Sequence, residues 1–465
     1  MKILFVMYDN EGAQNPIPMG PCYVAGYLRK NGFKDIHYYS QDIYHYSEEH
    51  LTDYLCNNHF DVVCLGFTAG YFQYNKIVGL CQTINKLKIK PFVVLGGHGP
   101  TPTPEFFLEV TGADAAVMGE GEVPFFNLIT ALATGTSLRN VKGVAYRDGW
   151  DNNRIIVNER ESVIKDLDSI PYPYYDLLPM EYYINAKLYQ MKPTDRAMWM
   201  ITSRGCNYKC NFCQRLEKGI RFRSSESVID ELKKYVKDYQ INFMVFWDEL
   251  FMFSEERVSE IAEGILREGI KINYWCTGRM NIVNKNILRM LKKSGCSFID
   301  YGIEQFDDFS LMKMKKVQTE EQIVKGIELT QKEGIRIGFN IIFGNIGDTK
   351  ESLKKSTALL KKYNDYGQIR VIRPVTPYPG SQLYDTAIKR GLLTGPADFY
   401  GKHKNAELLT VNFTNISEDE FYQLMFGANK EIICDYYDHL KEEAVKNFSC
   451  VYIDGDVSFR GMRHI

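Results

Sequence analysis

Short apolar runs alternate with amphipathic stretches twice along this chain, and that alternation restricts the fold more than any other feature. Runs at 3–7, 62–67, 92–95 and 115–118, with a weaker one at 36–39, are separated by helical patterns around 20–31, 48–57, 71–87, 103–110 and 122–133. Strands alternating with helices of this length predict a parallel, doubly wound α/β sheet over residues 1–135. A second series starts after residue 195, with strand patterns at 198–202, 242–247, 272–277, 298–303, 335–343 and 368–373. Helical patterns at 225–238, 254–268, 284–294, 319–333 and 349–363 lie between them. Six such units over 196–392 predict a partial (β/α)6 barrel, open on one side, with its site at the carboxyl ends of the strands. Residues 136–195 read as a β-ribbon (141–146 and 155–157, with a turn at 148–153) followed by a connector at 166–179. Three prolines there argue for an extended path. Residues 393–465 form a small, mainly helical C-terminal region, helical at 417–446 and without a clear pattern after 449.

The first barrel strand runs into Arg204-Gly-Cys206-Asn-Tyr-Lys-Cys210-Asn-Phe212-Cys213, a C-x3-C-x2-C loop. A closed zinc site or a ferredoxin-type cluster takes four protein ligands. Three thiolates on one loop leave one iron of a four-iron cluster open to a chelating molecule. Half a zinc site is the plainer alternative, but no C-x2-C or H-x3-H partner follows. Cys276 and Cys296 read as core thiols, and Cys434 and Cys450 are too isolated to hold a second cluster. Cys22 sits beside a first-domain loop, where a redox or ligand role is a minor alternative.

Four glycine-bearing turns occupy the carboxyl ends of the first sheet's strands: Pro18-Met19-Gly20-Pro21, Gly66-Phe-Thr68-Ala69-Gly70, Gly96-Gly97-His98-Gly-Pro100 and Gly119-Glu120-Gly121-Glu122. Ligands of doubly wound sheets bind at these ends, and glycine lets backbone approach them closely. Turns between strand and helix often need glycine anyway, so the weight lies in their number. At 465 residues two or three domains are expected, and a net charge of −2 argues against a dedicated nucleic-acid binder. No apolar run of about 18 residues occurs, so no membrane span is expected. The apolar start ends at Asp9, Asn10 and Glu11, too early for a signal peptide. Eleven cysteines are then expected as free thiols in a reducing cytoplasm.

The cysteine loop closely resembles that of the radical S-adenosylmethionine (SAM) enzymes. With the glycine turns and Gly20-x5-Gly26-Tyr-Leu-x3-Gly32, residues 1 to about 392 resemble the cobalamin-dependent branch of that family, which includes class B methyltransferases and the anaerobic magnesium-protoporphyrin ester cyclase. The resemblance implies a 4Fe-4S cluster on Cys206, Cys210 and Cys213 that chelates SAM and cleaves it to a 5′-deoxyadenosyl radical. It implies SAM contacts from Asp248 and Glu249 jointly (amino group), Arg279 and Glu304 (carboxylate or ribose), and Phe212, Gly344 and Gly347 (adenine). The plainer readings are a helix N-cap for the first pair and salt bridges for Arg279 and Glu304. Cobalamin is expected against Met19, Gly20, Thr68, Ala69, Gly96, Gly97, His98, Gly119, Glu120, Gly121 and Glu122. No D-x-H-x-x-G motif is present, so the resemblance implies base-off cobalamin without a protein histidine on cobalt, His98 being a loop contact. Arg370, Arg373 and Tyr378 are candidate substrate residues, although an arginine here could instead pair with a core acid. No catalytic acid or base is identifiable.

The implied reaction is methylation of an unactivated carbon through methylcobalamin and the adenosyl radical. Alternatives are oxidation, cyclisation or rearrangement without methyl transfer, and a non-catalytic cobalamin or redox sensor. The implied partners are a small-molecule or peptide substrate and an electron donor such as flavodoxin or ferredoxin.

Overall fold

The computed structural model describes residues 1–9, 16–67, 71–149, 154–188, 190–455 and 458. Strands β1 (Ile3–Met7), β2 (Ile36–Ser40), β3 (Val62–Gly66), β4 (Phe92–Gly96) and β5 (Ala115–Val117) lie parallel in the order β2-β1-β3-β4-β5. Alternate residues enter different cores. Ile3, Phe5, Cys64, Val94 and Val117 face one side, while Leu4, Val6, Val63, Leu65 and Leu95 face the other. Burial on both faces is why these strands read as unbroken apolar runs. The strand order reverses between β1 and β3, which opens a crevice at their carboxyl ends.

The ribbon, β6 (Val144–Asp148) and β7 (Arg154–Val157), adds antiparallel to β5 and extends the sheet to seven strands. Val144 and Tyr146 join one core and Ala145 the other, so β6 gains burial on both faces by continuing the sheet. The expected turn between the two strands falls partly outside the described residues. The connector is largely irregular, as its prolines suggest, apart from a 3-10 turn at Leu167–Ser169; it buries Leu167, Tyr175 and Leu178, and a short helix, Met180–Asn185, follows it and buries Tyr183. Tyr183 Oη donates to Asp42 Oδ2 at 2.6 Å and Tyr38 Oη to the Tyr174 carbonyl at 2.6 Å. These bonds tie the connector and the helix after it to the first domain.

The second sheet holds β8 (Ala197–Met200), β11 (Phe243–Phe246), β12 (Asn273–Gly278), β13 (Cys296–Glu304), β14 (Arg336–Phe343) and β15 (Arg373–Pro374), all parallel and in chain order. An unforeseen antiparallel hairpin, β9 (Ser203–Cys206) with β10 (Gly219–Phe222), follows β8 and carries the first cysteine. The sixth strand is much shorter than its sequence pattern. Asn429 of the C-terminal helix Glu418–Tyr452 takes both backbone groups of Ile372, accepting from its N at 2.8 Å and donating to its O at 3.0 Å. Pro374 has no N–H to extend the ladder. The first half of that helix buries Phe421, Met425, Ala428 and Ile432, and the helix packs on Lys350–Lys362. The helix Pro396–Lys402 returns to the first domain, where Tyr400 stacks on Tyr74 with centroids 4.3 Å apart. Among the described residues no helix is long and apolar enough to cross a membrane.

Candidate active site

The cysteine loop is held from three directions. Gly205 has φ +87°, and a Cβ on it would lie 2.3 Å from the Gly219 carbonyl oxygen, so only glycine lets the hairpin close before Cys206. From the end of β11, Asp248 Oδ1 accepts from Thr202 N (3.0 Å), Thr202 Oγ1 (3.0 Å) and Ser203 Oγ (2.5 Å). Behind Cys210, Asn211 and Asn345 exchange amide hydrogen bonds of 3.0 Å each, and Asn211 N donates to the Met314 carbonyl at 2.9 Å. Asn345 belongs to the turn after β14, in which Asp348 Oδ2 accepts from Gly344 N and Asn345 N, both at 2.9 Å. Neither asparagine was among the residues expected from sequence.

The thiols sit in a cationic setting. The hydrogen bond between Cys210 and Cys213 lowers the Cys210 thiol to about 6, with nearby Lys316 and Arg279 acting the same way, and it raises that of Cys213. Thiolate is the form that ligates metal. Arg279 Nη1 lies 3.8 Å from Cys210 Sγ, and its guanidinium covers the Tyr208 ring at 3.7 Å. Glu304 has φ +68° and pairs with Lys316 at 2.8 Å, both side chains buried. A non-glycine residue held in the left-handed region is strained, and such strain collects at functional sites. No group of three or more His, Cys, Asp or Glu among the described residues is gathered for a single metal ion.

A cavity of about 640 Å³ separates the two sheets. Its first-domain wall includes Gly20, Gly96, Gly97, His98 and the stretch Gly119–Glu122, and its barrel wall includes Trp247, Asp248, Glu249, Trp275, Thr277 and Asp300. A Cβ built on Gly20 or Gly96 would meet no atom within 4 Å, so a cradle stands open above these turns. Gly97 differs: at φ +100° its Cβ would lie 2.4 Å from the Phe67 oxygen. His98 is exposed at the cavity wall. Of the two acids after β11, Asp248 is consumed by Thr202 and Ser203, and burial lifts it to about 6. Its Oδ2 has no partner. Glu249 is accessible, and partial desolvation raises its carboxyl.

Several expected roles shift. Glu120 and Glu122 do line the cavity, but their carboxylates are engaged by Arg221 and Arg204 of the cysteine hairpin. Met19 is buried at the start of helix Met19–Lys30 and is not in the cavity wall; Thr68 and Ala69 lie outside the described residues. Phe212 packs against the core that the first domain shares with residues 375–413. Gly344 and Gly347 have φ of +100° and +95°, and their Cβ positions face Phe421 and Lys313 rather than open space. They turn the chain, so the close-approach argument for adenine fails there. Arg370 is not a free anion binder. It donates to the Ile337 carbonyl at 2.9 Å and to Asp365 Oδ1 at 2.7 Å, and also bonds Asn364. Arg373 points elsewhere, pairing with Glu407 at 2.8 Å on the surface. Tyr378 packs on Phe399 and His403, away from the cavity. Arg370→Met should therefore cost about 3 kcal/mol of stability, as loss of one partner of a buried pair does. Denaturant midpoints check this; an unchanged midpoint with impaired turnover would instead restore the substrate role.

Models of the radical SAM superfamily and of the B12 binding domain match residues 200–360 and 10–129. The chain is 30% identical over 410 residues to the uncharacterized methyltransferase PH0819 of Pyrococcus horikoshii, covering 84% of each. It is 26% identical over 398 residues to the anaerobic magnesium-protoporphyrin IX monomethyl ester cyclase of Rubrivivax gelatinosus, covering 83% of this chain and 69% of that one. Its fold is shared with the radical SAM methyltransferase TsrM of Kitasatospora setae solved with cobalamin and a 4Fe-4S cluster, at TM-score 0.69 and 17% identity over 85% of this chain and 80% of that one. The chain belongs to the cobalamin-binding radical SAM family. It is a cobalamin-dependent radical SAM enzyme, and its cofactors are a 4Fe-4S cluster, SAM and cobalamin. The residues present fit them: three cysteines on one loop, with Cys210 favoured as thiolate, and an open glycine cradle across a cavity from the barrel mouth.

Proposed function

We propose that this enzyme methylates an unactivated carbon of a small-molecule or peptide substrate. The observation that carries the reading is the cavity between the glycine turns and the barrel mouth, which sets the two cofactor seats facing each other. When bound, the cluster and SAM supply a hydrogen-abstracting adenosyl radical, and cobalamin supplies the methyl group. Glu249, accessible on the cavity wall, would accept the SAM ammonium group in charge-assisted hydrogen bonds, while Asp248 fixes Thr202 and Ser203. Arg279 holds Cys210 toward thiolate and offers its remaining N–H groups to the SAM carboxylate. Glu304 keeps Lys316 beside the cysteines. Trp247 and Trp275, edge to face at 5.7 Å, wall the substrate space and exclude water from the radical. The absent D-x-H-x-x-G motif supports base-off cobalamin. The electron comes from a flavodoxin- or ferredoxin-like donor.

The cyclase relative favours a second reading, oxidation or cyclisation without methyl transfer. Product analysis separates the two. Anaerobic enzyme reconstituted with iron, sulfide and hydroxocobalamin should convert SAM to both S-adenosylhomocysteine and 5′-deoxyadenosine. Formation of 5′-deoxyadenosine alone would assign the protein to the second reading.

A further inference from the structure

The cysteine hairpin is bound to the first domain as closely as to its own barrel. Arg204, two residues before Cys206, reaches Glu122 Oε1 at 2.5 Å and lies 3.5 Å from Glu120 Oε2. Its guanidinium also covers the Tyr23 ring at 5.3 Å. Arg221, on the return strand, grips both oxygens of Glu120, one at 3.0 Å, and donates to the Ile164 carbonyl. After the third cysteine, Gln214 Nε2 donates to the His98 carbonyl at 2.7 Å and Glu217 pairs with Arg160 at 2.6 Å. The contacts therefore begin before Cys206, continue after Cys213, and end on the turns that follow β4 and β5 and on residues 160–164 after β7. The four charged side chains are 3–16% exposed. Two arginines against two carboxylates, with paired oxygens on Glu120, form a directional link that fixes orientation as well as distance.

We propose that the Glu120–Glu122–Arg204–Arg221 network is a positioning device that locks the cluster-bearing hairpin to the cobalamin-bearing turns, fixing the distance between the two cofactors. None of the four need touch a reacting atom. The glycines around the acids support this. Gly119 has φ +85°, and a Cβ there would meet Arg160 and Glu217, so the turn is shaped to receive the hairpin. At Gly121 a Cβ would meet Val24 of the first helix, which keeps the two acids close to that helix. A single bond would restrain one point. Bonds at both ends of the loop restrain its tilt as well.

The proposal rests on the presence of both cofactors but not on methyl transfer, so its test uses no substrate. Holoenzyme holding reduced cluster and cob(II)alamin has two paramagnets, whose separation is read by dipolar and relaxation measurements in electron paramagnetic resonance. Wild type should give one narrow distance. Glu122→Gln and Glu120→Gln should keep cluster and cobalamin contents but replace that distance by a broad distribution. The charge-exchanged double variant Glu122→Arg with Arg204→Glu should narrow it again, which a purely structural defect would not do. An unchanged narrow distance in both Gln variants overturns the proposal. Loss of cobalamin in either also overturns it, because the acids would then be cofactor contacts. Should Glu122→Gln fail to fold, Glu120→Gln and Arg221→Lys read the same distance and decide the outcome.

Discussion

Replacing Cys206, Cys210 or Cys213 singly by Ala is expected to abolish reductive cleavage of SAM, lowering 5′-deoxyadenosine formation by more than ~100-fold. Even partners one shell outside a metal ligand are worth ~10–100-fold, so removal of a ligand is worth more. The prediction is sharpest beside its controls. Cys276 and Cys296 are fully buried in the barrel core, where their thiols act as small apolar groups. Cys276→Ala and Cys296→Ala should cost on the order of 1 kcal/mol of stability as small cavities do, yet keep the cluster absorbance. Cluster spectra and product counts on the five anaerobic variants check both halves. The loop's surroundings give the reason for the asymmetry. The hydrogen bond with Cys213, aided by Lys316 and Arg279, favours Cys210 as thiolate, whereas burial pushes the Cys276 thiol well above its usual range.

Gly96→Val should separate cobalamin binding from folding, and its neighbour supplies the contrast. Gly96 ends β4 with nothing within 4 Å of its would-be Cβ, so valine fits the protein and intrudes only on the cradle. Overpacking a built site costs about 1–3 kcal/mol, so a side chain inside the corrin's seat should weaken cobalamin by roughly 5- to 150-fold with an unchanged denaturation midpoint. Gly97→Ala should do the opposite in part. At φ +100° and 2.4 Å from the Phe67 oxygen, its methyl group strains the turn itself and should lower stability by about 1–3 kcal/mol. Binding titrations followed by the cobalamin spectrum, alongside urea melts, distinguish the two. Equal loss of affinity and stability in Gly96→Val would show that the space above β4 is not a ligand seat.

Much of the architecture was legible because the strands are buried on both faces and so advertise themselves as apolar runs. The hairpin that carries Cys206 was not. Its residues are half-buried, and its defining feature is the contact of Gly205 with the Gly219 oxygen, which no periodicity reports. The asparagine pair behind the cluster loop joins residues 134 apart, and Arg204 meets Glu122 across 82 positions. The first pair exists only once the barrel has closed, and the second only once both domains have assembled. The acids after β11 were legible as a pair, but only the hydrogen bonds to Thr202 and Ser203 divide their labour. Arg370 misled for a related reason: an arginine at a strand end looks the same in sequence whether it faces a ligand or a buried carbonyl.

Metal and cofactor analysis of anaerobically reconstituted protein tests the central claim most directly. The account predicts about four irons and one cobalamin per chain, a cluster spectrum that changes when SAM is added, and loss of the iron alone when the three cysteines become alanine. Zinc in place of iron, or SAM cleavage that survives removal of all three thiols, would contradict it.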